Sequence, residues 1–94
     1  MEQRREHRFK PNQLATVKVL GLRPGPVIHA YLLDISGSGM RLGSQLPVPC
    51  GAPIEIEVND MVSRGTVCRC SPEHGASYEL GVQVLETVVA PESW

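Results

Sequence analysis

Two clusters of side chains in this chain have the types and spacing to do chemistry. One runs from Asp34 through Ser36, Gly37 and Gly39 to Arg41, and the other holds Arg4, Arg5 and Arg8 near the start. Where the backbone is extended, positions i and i+2 project to one side, so the Asp34 carboxylate and the Ser36 hydroxyl point together. A carboxylate accepts two hydrogen bonds side by side, matching the adjacent N1–H and N2–H₂ donors of a guanine edge, and a hydroxyl donates or accepts as required. Gly37 and Gly39 permit positive φ and let a ligand come close to the main chain, whose N–H groups can meet an anion. The same residue types also build a plain tight turn, with Asp34 in an Asx-turn.

Arg4 and Arg8 are four residues apart, which keeps them on one side of the chain in either helical or extended backbone. Arginine suits a phosphorylated ligand: its planar fork meets phosphate oxygens bidentately, stacks on a purine and matches the O6/N7 edge of guanine. A solvated basic terminus is the other reading of such a pair. Arg41 and Arg69 fit extra phosphate contacts and a solvated outer face equally well. Taken together, the two clusters read as a clamp for a nucleotide.

The elements that must position these groups are short strands. Gln13 to Leu20 alternates Leu14, Thr16, Lys18 and Leu20 with Ala15, Val17 and Val19, the pattern of a half-buried strand. Pro24 and Pro26 make the next segment a turn. Val27 to Leu33 is a β-prone run ending at Asp34, and extended structure resumes over Met40 to Leu42. Ile54 to Val58 alternates with Glu55 and Glu57, Asn59 and Asp60 sit where a two-residue hairpin turn belongs, and the return strand spans Met61 to Cys70 with a bulge expected at Gly65. The last strand is Tyr78 to Leu85. No stretch of ten residues carries helical periodicity between caps. The expectation is an all-β fold, a small six-stranded antiparallel β-barrel over residues 13–86, with a flexible basic arm at 1–12 and a tail at 87–94.

Composition narrows the function classes. The 94-residue chain has a net charge of −1, but residues 1–10 carry four basic groups against two acidic, and the other 84 carry five against eight. The basic character is confined to the arm, whereas a nucleic-acid surface spreads a positive stripe over a face. Its aromatics are only Phe9, Tyr31, Tyr78 and Trp94, too few for base-stacking platforms. No apolar run approaches the roughly 18 residues of a membrane span. Cys50, Cys68 and Cys70 are odd in number and read as reduced thiols. Cys68, Cys70 and His74 lack a fourth zinc ligand, and His7 and His29 have no nucleophile spaced to use them. No metal or cofactor is expected, and no catalysis.

Arg4-x-x-x-Arg8 followed by Asp34-x-Ser36-x-x-Gly39 resembles the PilZ domain, a bacterial receptor domain for cyclic di-GMP, whose pattern is RxxxR followed by [DN]xSxxG. Gly81, Val82, Gln83 and Val84 look like the family's later strand, with Val84 in place of its usual phenylalanine, and the likeness runs from about Gln3 to Leu85. It implies that the arm arginines contact the phosphates and the guanines, that Asp34 and Ser36 take a guanine, and that the ligand is cyclic di-GMP. It implies a cytoplasmic receptor or adaptor that signals through another protein; a barrel that binds protein without nucleotide is the alternative. Only nine residues follow Leu85, Pro91 among them, so the family's C-terminal helix is expected to be absent or very short, which favours a protein partner or a homodimer.

Overall fold

The computed structural model describes residues 13–22 and 24–89. These form six strands: β1 (Gln13–Val19), β2 (Val27–Ser36), β3 (Gly39–Ser44), β4 (Pro53–Val58), β5 (Met61–Pro72) and β6 (Tyr78–Val89). All neighbours are antiparallel, and the order β1-β2-β3-β6-β5-β4 closes on itself through the pairing of β1 with β4. The expected six-stranded barrel is therefore the observed fold. Among the described residues there is no helix.

Alternation builds the core. Ala15 and Val17 from β1, Ile28, Ala30 and Leu32 from β2, Met40 and Leu42 from β3, Ile54, Ile56 and Val58 from β4, Val67 from β5, and Leu80 and Val82 from β6 are buried together. Val48, in the proline-rich connection before β4, plugs one end. Truncating any one of the fully buried leucines or isoleucines to alanine would cost about 2–5 kcal/mol.

The strands are mostly longer than alternation suggested, because each finds a partner past its apolar run. β2 continues through Asp34 to Ser36, leaving only Gly37 and Ser38 as the hairpin loop to β3. β5 and β6 pair from Met61 opposite Val89 to Pro72 opposite Tyr78, so residues 87–89 belong to the sheet and not to a tail. Gly65 does stand beside a register shift, but the surplus residue is Leu85 on β6, between the pairs Arg64–Glu86 and Gly65–Val84.

At the β4–β5 hairpin, Asn59 has φ of +54°, and among the described residues no other non-glycine has positive φ. Asparagine visits this region readily and a β-branched residue does not. Asn59→Val is expected to cost about 1–2 kcal/mol and Asn59→Gly no more than a few tenths. A thermal melt in which the valine variant matches the wild type would overturn this assignment.

Candidate functional site

Two β-bulges decide what faces outward. On β2 the inward residues are Ile28, Ala30 and Leu32; uninterrupted alternation would turn Asp34 inward next, an unpaired carboxylate in an apolar core. Leu33 is instead a surplus residue, and the register shifts between the Leu32–Leu42 and Asp34–Arg41 pairs. Ile35 then packs against the core, while Asp34 and Ser36 project to the outer face. β5 repeats the device: Ser63, Gly65 and Val67 are buried, Cys68 is surplus, and the shift brings Arg69 opposite Gly81 on the outside while Cys70 packs against the core.

The two bulges flank β3 and β6, so the pairings Asp34–Arg41, Arg41–Gly81 and Gly81–Arg69 line up across four adjacent strands. At the usual strand spacing this row is roughly 14 Å long. It floors an open groove of about 370 Å³ lined by Asp34, Ser36, Gly39, Arg41, Cys68, Arg69 and Gly81, together with Met40 and Val82. Gly81 is buried although it lies on the outer face, because Arg69 covers it: a β-carbon there would stand 3.3 Å from Arg69 Cβ and 3.8 Å from its Cζ.

Asp34 is a strand residue, so the Asx-turn reading does not hold. Its Oδ1 accepts the N–H of Ile35 at 2.9 Å, and its Oδ2 lies 3.8 Å from Arg41 Nε. Gly37 supplies the positive φ, +46°, that a two-residue hairpin loop needs at its first position. The loop is pinned to the neighbouring strand, since Val84 N–H donates to the Ser38 carbonyl at 2.7 Å.

The two arginines of the groove are balanced by a residue at its edge, lining the neighbouring groove, that the motifs did not single out. Glu79 Oε2 lies 2.8 Å from Arg41 Nη1 and 3.6 Å from Arg69 Nη2. The hydrogen bond from Arg41 is the main cause holding the Glu79 carboxyl below the usual carboxylate range, against an opposing effect of burial, and it pushes the Arg41 guanidinium further up. The contribution of a depressed carboxylate to stability is in place above the ordinary glutamate range and is lost as pH falls through the folded-state value. The two arginines thus share the Glu79 carboxylate, and Arg41 also has Asp34 beside it.

Arg4, Arg5 and Arg8 lie outside the described residues. The described body begins at Gln13, opposite Leu32 and two positions from Asp34 along β2. Of the residues read from the motifs, the structure thus gathers Asp34, Ser36, Gly39 and Arg41 in one groove, with Gly37 in the adjoining loop. Arg69, weighed equally as a solvated residue, joins them. Glu79 went unmarked, Gly81 was read only as part of the family-like last strand and Cys68 only in an incomplete zinc set, although the i, i+2 spacing of Glu79 and Gly81 on one strand already placed them on one face.

Two larger grooves, each about 460 Å³, lie elsewhere. One is lined by Leu14, His29, Tyr31, Leu33 and Tyr78 among others, the other by apolar residues and prolines at the Val48 end. Among the described residues neither has an arginine or lysine in its lining. Among the described residues no three His, Cys, Asp or Glu side chains could jointly hold a metal ion, and no helix is long and apolar enough to cross a membrane.

The sequence model of the PilZ domain family matches residues 2–92 of the 94-residue chain. No curated protein and no solved structure matches the chain.

Proposed function

The chain belongs to the PilZ domain family, a family of cyclic di-GMP-binding domains and not of catalysts, and from that membership we propose that it is a cyclic di-GMP receptor module. The carrying observation is the outward turn of Asp34 and Ser36 at the Leu33 bulge into a groove that also holds Gly39, Arg41 and Arg69. In this reading Asp34 accepts from a guanine edge, Ser36 adds a donor or acceptor, and the hairpin glycines leave room for the base. With Glu79 engaging the groove's two arginines, little positive charge is left free there, so the excess that a ligand with two phosphates needs comes from Arg4, Arg5 and Arg8. Arg8 is five Cα-to-Cα steps before Gln13, a tether of at most about 18 Å, which reaches the groove from where β1 starts. Ligand binding orders the arm over the groove and creates a surface that another protein reads. We place this receptor in the bacterial cytoplasm.

Calorimetry with cyclic di-GMP, GTP and a short oligonucleotide tests the reading. The expected result is binding of cyclic di-GMP alone, near micromolar, or about −8 kcal/mol. Arg4→Ala and Arg8→Ala are each expected to weaken it by about 2 kcal/mol, the scale for truncating one partner of a desolvated charge pair. Equal affinity for both variants and the wild type would remove the arm from the site. Absence of heat with cyclic di-GMP would favour the second reading, a barrel that docks another protein without nucleotide, for which the apolar groove at the Val48 end is the supporting observation.

A further inference from the structure

Glu79 lines the neighbouring groove of Tyr31 and Tyr78, yet its carboxylate engages both arginines of the groove that holds Asp34 and Ser36. It stands two residues before Gly81 on β6, on the same outer face, with Arg41 on one flanking strand and Arg69 on the other. A single oxygen, Oε2, takes the guanidinium groups of both, at 2.8 Å and 3.6 Å. The anion is held more firmly than the cations: the Glu79 side chain is 16% exposed, against 46% for Arg41 and 59% for Arg69. The arginines can therefore swing toward a ligand without disturbing the core, while the carboxylate stays where the strand puts it. Gly81, lacking a side chain, lets the Arg69 side chain lie across β6 toward Glu79, and the space over it opens to a phosphate only when Arg69 swings away.

We infer that Glu79 is a built-in substitute for a ligand phosphate, occupying the Arg41–Arg69 pair in the free protein and competing with the phosphate for it. This rests on the receptor reading for the identity of the ligand, and it adds a device that sets the affinity. A phosphate entering between Arg41 and Arg69 must break two ion pairs and then share the site with a carboxylate. The consequence is a receptor that is deliberately weakened: it ignores dilute anions and responds only when the arm arginines contribute as well. The rival role for Glu79 is positioning, in which it holds the two guanidinium groups at the right angle for the ligand; the two roles predict opposite signs.

Glu79→Gln separates them, because glutamine keeps the size and one acceptor but carries no charge. Calorimetry of the full chain is expected to show cyclic di-GMP bound about tenfold more tightly by this variant than by the wild type, the gain from two exposed ion pairs that need no longer be broken. The gain is expected to vanish when Glu79→Gln is combined with Arg41→Ala and Arg69→Ala, a coupling that a general effect on folding would not produce. Equal or weaker binding by Glu79→Gln, or a gain that survives without the arginines, overturns the inference. Glu79→Asp, which keeps the charge but withdraws it from both arginines, is expected to give a smaller gain of about threefold, and serves if the glutamine variant folds poorly. Should neither wild type nor variant bind cyclic di-GMP, the receptor reading fails by itself, and inorganic diphosphate followed on the arginine Nε–H NMR signals still decides. Signals of Arg41 and Arg69 that move at lower diphosphate concentration in Glu79→Gln than in the wild type support the substitute role, and identical titrations overturn it.

Discussion

Asp34→Ala is expected to weaken cyclic di-GMP binding about a hundredfold, close to 3 kcal/mol, while the melting temperature falls by no more than a few degrees. The two effects separate because of where Asp34 sits. Its structural partners are one N–H of the adjacent residue and an arginine 3.8 Å away, and its side chain is 51% exposed. An exposed pair of that kind contributes at most about 1 kcal/mol, and water can replace the carboxylate at the Ile35 N–H. A bound guanine has no such substitute: with alanine, two donors of its edge would be desolvated and unmet, and that penalty falls wholly on binding. Asp34→Asn retains one acceptor and is expected to lose about tenfold. Calorimetry and a thermal melt on the same samples check both halves. If the alanine variant binds as well as the wild type but melts many degrees lower, Asp34 is there to stabilise the bulge, and the guanine contact is wrong.

Fold and site were legible to different depths, for a physical reason. Strict alternation in Gln13–Val19 and Ile54–Val58, with breakers between, carries the barrel, because a period of two admits one inward set. The bulges are visible only as a change of parity. Ile28, Ala30 and Leu32 are even-numbered and Ile35 is odd; Ser63, Gly65 and Val67 are odd and Cys70 is even. A lone strand does not say whether such a change is a bulge or the strand's end, and the shorter choice ended β2 at Leu33. It is the neighbouring β3, offering Arg41, Met40 and Gly39 as partners, that carries pairing through to Ser36. The same limit hid Glu79. Its carboxylate is 38 residues from Arg41 in sequence, and only the non-consecutive pairing of β3 with β6 brings them to 2.8 Å. Motif spacing finds groups that share a hairpin, and long-range strand pairing supplies the rest.

That dependence on β6 is why a large loss of stability is expected far from any ligand contact, at Gly65. A β-carbon at Gly65 would run into the Gln83 carbonyl of the paired strand and come within 3.0 Å of Val84 Cα, so the obstruction is backbone and not a side chain that can turn away. Nor can β6 retreat. Gln83 is paired with Gly39 on its other side, and Val84 N–H holds the Ser38 carbonyl at the tip of the β2–β3 hairpin. Gly65→Val is therefore expected to cost about 3 kcal/mol or more, the upper range for forcing atoms into a packed interior. In a domain of this size that is a fall of roughly 12–24 °C in Tm. Relief by displacement of β6 would drag the Gly37–Ser38 tip, so whatever fraction stays folded at 25 °C is also expected to bind cyclic di-GMP more weakly. Gly37→Ala is the control: nothing lies within 4 Å of a β-carbon there, and only the positive φ of +46° opposes it. That variant is expected to lose about 1–2 kcal/mol. Should Gly65→Val melt no lower than Gly37→Ala, the close approach of β5 to β6 is not what fixes the hairpin that carries Ser36 and Gly39, and the site must be held by its own loop alone.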